Sequence, residues 1–181
     1  NMNVNLLTHL EYARVKYLVK SGKSFKKAKE QAETEILNTF AVTDKITSPE
    51  KVSLTDNDKN ANILLAISSI MLYDKTEAEF SEFIAKFSND LENDGTIDNN
   101  SLKEAIRKGQ ENCHPSEIKK RMEEFYQSKG SNVTIGDFSP FIDFNGDGVI
   151  DDRDEEMNDI VNPGTSTDDS YFKSEEDAGK S

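Results

Sequence analysis

Twelve residues near the carboxyl end, Asp143-Phe144-Asn145-Gly146-Asp147-Gly148-Val149-Ile150-Asp151-Asp152-Arg153-Asp154, set oxygen-bearing side chains at a regular spacing. A hard divalent cation such as Ca2+ takes about six to eight oxygens, and a loop of about twelve residues encircles it with ligands from positions 1, 3, 5, 7, 9 and 12. Those positions are Asp143, Asn145, Asp147, Val149, Asp151 and Asp154, with Val149 offering its carbonyl and Asp151 acting through a water. Gly148 stands at position 6, where the chain turns sharply through a backbone angle that a side chain disfavours. Ile150, at position 8, is placed to anchor the loop to a core. Eight carboxylates lie between Asp143 and Asp159, with Arg153 as the sole basic residue in that span. Such a cluster favours a cation. At position 12 the usual glutamate is replaced by Asp154, one methylene shorter, which predicts a weaker site.

A second segment, Asp90 to Asp98, follows the same pattern through position 9, with Ser101 at position 12. Serine there removes the strongest ligand, and an Asp94-Gly95 turn that ends a helix accounts for the same letters. A turn is the expectation; the alternative is a degenerate loop that pairs with the first through Ile97 and Ile150.

Other reactive side chains do not assemble into chemistry. Cys113 and His114 are adjacent, so their side chains diverge, whereas a thiolate nucleophile needs its base across a hydrogen bond. His114 is better placed to cap a helix. His9 lies beside an apolar helical stripe, and two histidines with one cysteine make a catalytic zinc improbable. Paired carboxylates carry no glycosidase signal in so acidic a chain, which has no tryptophan for a sugar platform. No phosphate-cradling glycine-rich loop occurs. The chain is expected not to be an enzyme.

The formal charge of −13 opposes nucleic acids and anionic headgroups and suits hard cations or basic surfaces. The longest apolar run, Ile63 to Leu72, falls well short of the roughly 18–20 residues that cross a bilayer. No secretory leader is expected in the opening residues.

These residues must be positioned by helices. Leu6, Leu10, Ala13 and Tyr17 form a first amphipathic stripe that Ser21-Gly22 ends, and Ser24 caps a second carrying Phe25, Ala28, Ala32, Ile36, Leu37 and Phe40. The short turn between them predicts an antiparallel hairpin. Thr43 to Asn60 reads as a long polar loop. Ala61 to Leu72, apolar nearly all round, predicts the centre of the core. Thr76 to Glu79 fits a capping box ahead of Phe80, Phe83, Ile84, Phe87 and Leu91, and Ser101 to Glu104 fits another. Pro115 opens a sixth helix with Ile118, Met122, Phe125 and Tyr126. Val133 and Ile135 alternate with polar residues as a short strand would. Together these predict an all-α bundle of about six helices over residues 3–130, an EF-hand-like calcium-binding segment over 131–161, and a disordered tail or linker over 162–181.

The pattern D-x-N-x-D-G-x-I-x-x-x-D resembles the calcium loop of dockerin modules, which keep Asp at the twelfth place. Pro140 leaves room for hardly more than one turn before the loop, as in dockerins, and a helix is expected from near Asp152 to before Pro163. The likeness covers about 20 residues, so cohesin binding is not carried over. LLTHLEYARVKYLVKSGKSFKKAKEQAETEIL, ANILLAISSIML and SNDLENDGTIDNNSL resemble the helical domain of surface lipoproteins from Bacteroidota-type gut bacteria. That resemblance implies export, attachment to the outer face of the outer membrane and proximity to glycan-uptake machinery. It supplies no catalytic residues.

The expected function is therefore a non-enzymatic, calcium-binding cell-surface module with a binding or scaffolding role and a protein or glycan partner. The alternatives are an accessory domain of an extracellular carbohydrate-active hydrolase, a dockerin-like interaction module, and a calcium sensor, which would need two working loops.

Overall fold

The segment with the least polar circumference becomes the axis of the molecule. In the computed structural model, which describes residues 5–47 and 49–161, helix α3 (Lys59–Leu72) buries Ala61, Ile63, Leu64, Leu65, Ala66, Ile67, Ile70 and Met71. Asp58 starts it by accepting a hydrogen bond from the Ala61 amide at 2.9 Å. Around α3 stand α1 (Leu6–Lys20), α2 (Phe25–Thr39), α4 (Glu77–Leu91), α5 (Asn100–Glu111), α6 (Pro115–Ser128) and α7 (Asp152–Val161), with short 3₁₀ turns at Pro49–Lys51 and Ser139–Phe141. The described residues are all helical and contain no strand. Helix α3 touches α1, α4, α5, α6 and the Ser139–Phe141 turn, while α1 packs along α2 and α4.

The crossing of α5 on α3 is set by backbone rather than side chains. A Cβ at Gly109 would lie 2.2 Å from the carbonyl oxygen of Ile70, so this approach requires glycine. The hairpin of α1 and α2 has its own small cluster of Val15, Leu18, Ala28 and Ala32, in which the alanines admit close packing. Val42, Ile46 and Val52 tie the long polar connection between α2 and α3 into the main core.

Several expectations need correction. The buried face of α1 carries Leu7, Leu10, Glu11, Arg14, Val15 and Leu18, not the stripe through Ala13 and Tyr17. Glu11 and Arg14 point inward, and a reading by hydrophobicity assigns charged residues to the outside. Phe25 is 67% exposed, and burial on α2 begins one turn later at Ala28. Phe125 on α6 is likewise exposed. Thr76 and Glu79 form the expected capping box, but α5 is capped by Asn99, whose Oδ1 accepts from the amides of Ser101 (2.9 Å) and Leu102 (3.3 Å). Glu104 instead pairs with Arg107. His114 occupies the cap position of α6 without a side-chain capping bond. The Val133–Ile135 stretch has no neighbouring strand to pair with; the Ile135 amide donates to Glu123 Oε1 at 2.9 Å. The tail expected over 162–181 lies outside the described residues.

Where α1, α2 and the Pro49–Lys51 turn meet, three carboxylates share one lysine. Lys29 Nζ lies 2.5 Å from Glu50 Oε2 and 3.8 Å from Glu11 Oε1. Glu33 caps the Ile46 amide at 3.2 Å. Burial pushes the Glu11 carboxyl up to about 7, with Glu33 and Glu50 adding to the rise and Lys29 opposing it. A carboxyl whose folded pKa is raised stabilises the fold below its unfolded value near 4.5, and that contribution is lost as pH rises through about 7.

Two outcomes are expected. Glu11→Gln matches the wild type near pH 5 and exceeds it above pH 7 by on the order of 1–2 kcal/mol in urea unfolding; parallel pH profiles would contradict the inward placement of Glu11. Gly109→Ala costs about 3 kcal/mol, because the added methyl meets a carbonyl that cannot rotate aside.

Candidate metal centre

The candidate loop leaves the core through four apolar anchors. Ile135, Phe138, Ile142 and Phe144 are all buried and belong to the same hydrophobic cluster as α3. Pro140 lies in the 3₁₀ turn, so less than a full helix precedes the loop, and α7 follows from Asp152 as the sequence predicts. Asp152, Asp154 and Glu155 occupy the first turn of α7, where the helix dipole favours negative charge.

Within the loop each side-chain ligand position engages backbone amides. Asp143, 2% exposed, accepts from Gly146 N through Oδ1 at 2.7 Å and from Gly148 N through Oδ2 at 2.8 Å. Asn145 Oδ1 accepts from Asp147 N at 2.9 Å, and Asp147 Oδ1 from Val149 N at 3.0 Å. Asp154, 3% exposed, accepts from Asn145 N at 3.1 Å and Asp151 N at 2.8 Å, so the last position is laced to the third and the ninth. Gly148 has φ +87° and open space where a Cβ would stand, so backbone angle alone selects glycine there. Ile150 packs against the core, while the Val149 side chain is exposed.

Two kinds of charge balance divide these residues. Arg153 draws Asp147 and Asp151 together, with Nη2 2.7 Å from Oδ2 of each. It holds the Asp151 carboxyl below its ordinary range. Asp143 goes the other way: burial raises its pKa, Asp154 and Asp147 add repulsion, and the Gly148 and Gly146 amides offset part of the rise. Among the described residues no three His, Cys, Asp or Glu side chains stand converged as metal ligands. The donor set nonetheless fits a hard cation. It is oxygen throughout, two of its carboxylates are buried together, and each of their oxygens has a second lone pair beyond its amide bond. Asp147 and Asp151 would reach the ion by turning from Arg153.

The segment Asp90–Ser101 is a stitched turn. Asp90 Oδ2 accepts from Asp98 N (2.7 Å) and Asn99 N (2.9 Å), and Asp94 Oδ1 accepts from Thr96 N (3.0 Å). Gly95 turns at φ +82°, and the Glu35 carboxyl occupies the place a Cβ would need. Arg14 secures the turn from below. Its Nε and Nη2 donate to the two Glu35 oxygens at 2.7 and 2.8 Å, and its Nη1 donates to the carbonyls of Glu92 (3.1 Å) and Asn93 (2.7 Å).

The candidate loop forms a partition between two clefts. Asp143, Gly146 and Gly148 face one of about 650 Å³, whose other wall is Asp94, Gly95, Thr96 and Ile97. Asp151 and Asp154 face another of about 720 Å³ against α6. The two acidic turns therefore border one space. Ile97 is buried and Ile150 half-buried on the same core cluster. Sequence reasoning missed Arg14 and Glu35, which carry no motif, and Gln110, a buried polar residue on the first cleft.

No protein family, curated protein or solved structure matches the chain.

Arg14→Ala is expected to cost about 3–5 kcal/mol in urea unfolding, because Glu35 and two carbonyls lose a buried partner. Amide exchange should accelerate first at Gly95 and Thr96; unchanged protection there would mean that Arg14 does not hold the turn.

Proposed function

We propose that this chain is a non-enzymatic, calcium-binding module that acts at the cell surface as a binding or scaffolding part of a lipoprotein. The observation that carries this reading is the burial of Asp143 and Asp154 at the first and last ligand positions of one loop, like charges with backbone amides on every oxygen. A divalent ion between them would offset their repulsion and supply the positive charge that amide dipoles provide only in part. Asp143, Asn145, Asp147, the Val149 carbonyl and Asp154 would be direct ligands, with Asp151 acting through water.

The ion's role would be structural. The loop is the link between the buried Ile142–Phe144 anchor and α7, so fixing its twelve positions fixes the helix that follows. Millimolar extracellular calcium fills sites with Kd of about 10⁻⁴ to 10⁻³ M, which suits the shorter Asp154. No helix among the described residues is long and apolar enough to cross a membrane, so surface attachment would depend on a lipid anchor or a partner. The glycan-uptake setting and the outer-membrane location rest on the resemblance to surface lipoproteins.

The enzymatic reading requires two carboxylates of raised pKa converging in a cleft. Glu11 and Glu33 have that electrostatic character, yet neither lines the two clefts beside the loop. This favours the binding module.

Calcium should bind at one ion per chain by calorimetry and stabilise the protein by about 1–3 kcal/mol at 10–100 times Kd. Asp143→Ala abolishes both effects, while Arg153→Ala, by releasing Asp147 and Asp151, tightens binding. Identical melting temperatures in calcium and in chelator would overturn the proposal.

A further inference from the structure

The cleft between the two acidic turns contains a polar group that the fold does not use. Gln110, on α5, is 6% exposed and lines this cleft. Among the described residues its carboxamide takes part in no hydrogen bond. A buried amide without a partner is unfavourable by about 1–3 kcal/mol, so such a group is kept where water or a ligand satisfies it. Asn38 projects a second amide into the same space from α2, also without a protein partner. Asp94 borders it with Oδ1 occupied by Thr96 and Oδ2 left open. Ile97 and Ile106 supply an aliphatic floor.

We propose that this cleft binds a small neutral polyhydroxylated ring, of monosaccharide size. Each amide offers a donor and an acceptor side by side, the complement of neighbouring hydroxyls, and the open carboxylate oxygen accepts from a third. The isoleucines suit the C–H face of such a ring. Asp94, Asp143 and the Glu35 carboxylate oppose an anion. A basic ligand finds its carboxylates already held: Glu35 by Arg14, Asp143 by amides. The volume of about 650 Å³ lies in the range of small-molecule sites rather than of flat protein interfaces. The site deepens the binding-module reading above and shares one wall with the proposed calcium loop, but its recognition groups lie on α2, α5 and the Asp90–Ser101 turn.

The test uses the full ¹⁵N-labelled chain, in calcium and separately in chelator. Methyl glucoside, galactoside and mannoside are titrated in turn, with N-acetylglycine methylamide as a peptide surrogate. At least one glycoside should produce saturable shifts in the Gln110 and Asn38 side-chain amides and in Thr96. Gln110→Met, similar in shape but without the amide, should weaken that binding about tenfold. Asn38→Ala, at an exposed position, provides a second variant that does not disturb the core. No saturable shift with any glycoside in either condition overturns the proposal, as do equal shifts in both variants or a response to the peptide surrogate alone. A calcium titration that moves residues 143–154, beside silent glycosides, would sink the cleft proposal and leave the calcium reading standing. Glycoside binding in chelator with no calcium response would do the reverse.

Discussion

The guanidinium of Arg14 ties together parts of the chain that nothing else joins at one point. From the middle of α1 it reaches both oxygens of Glu35 on α2 and two carbonyls at the end of α4. A charge 4% exposed is tolerated in such a place only when all its donors are satisfied, and the fork of an arginine matches a carboxylate and a pair of carbonyls at once. The relative placement of α1, α2 and α4 is thereby made specific, where hydrophobic contact alone would permit sliding. Glu35 also fills the space beside Gly95, so the same pair that orients the helices shapes one wall of the cleft.

An acidic chain must dispose of its negative charge somewhere, and this one does so unevenly. On the helix surfaces it uses pairs three or four residues apart, such as Glu104 with Arg107 and Glu82 with Lys86. Where three carboxylates crowd Lys29, a raised Glu11 shares the strain of burial with its neighbours. At the two turns, backbone amides take the place of basic side chains. Amide dipoles neutralise a carboxylate only partly, and the difference matters most at Asp143 and Asp154, where solvent is nearly excluded.

Much of this was legible in the residues. The apolar circumference of α3, the Thr76–Glu79 box, the 3₁₀ turn imposed around Pro140 and the onset of α7 at Asp152 all follow from local rules that tertiary structure does not overrule. The phase of α1 was not legible, because Glu11 and Arg14 sit inside and any count of apolar positions rotates the helix to place them outside. Ser101 looked like a cap because a glutamate follows at the right distance, yet Asn99 is the better acceptor and begins the helix sooner. Ligand spacing along 143–154 could be read directly, but the competition of Arg153 for Asp147 and Asp151 could not, since it depends on side-chain direction. Gln110 gave no signal at all: a glutamine between charged residues on a helix reads as solvated.

The contact of Gly109 with the Ile70 carbonyl reaches beyond packing. Because α5 lies on α3 through main chain, it cannot roll about its own axis without separating the two helices, and Gln110 is the very next residue. The aim of that carboxamide is thus inherited from a backbone contact one position away, so the cleft acquires a fixed compass bearing before any guest arrives. Geometry that other folds secure with a shell of supporting side chains is secured here by the absence of one.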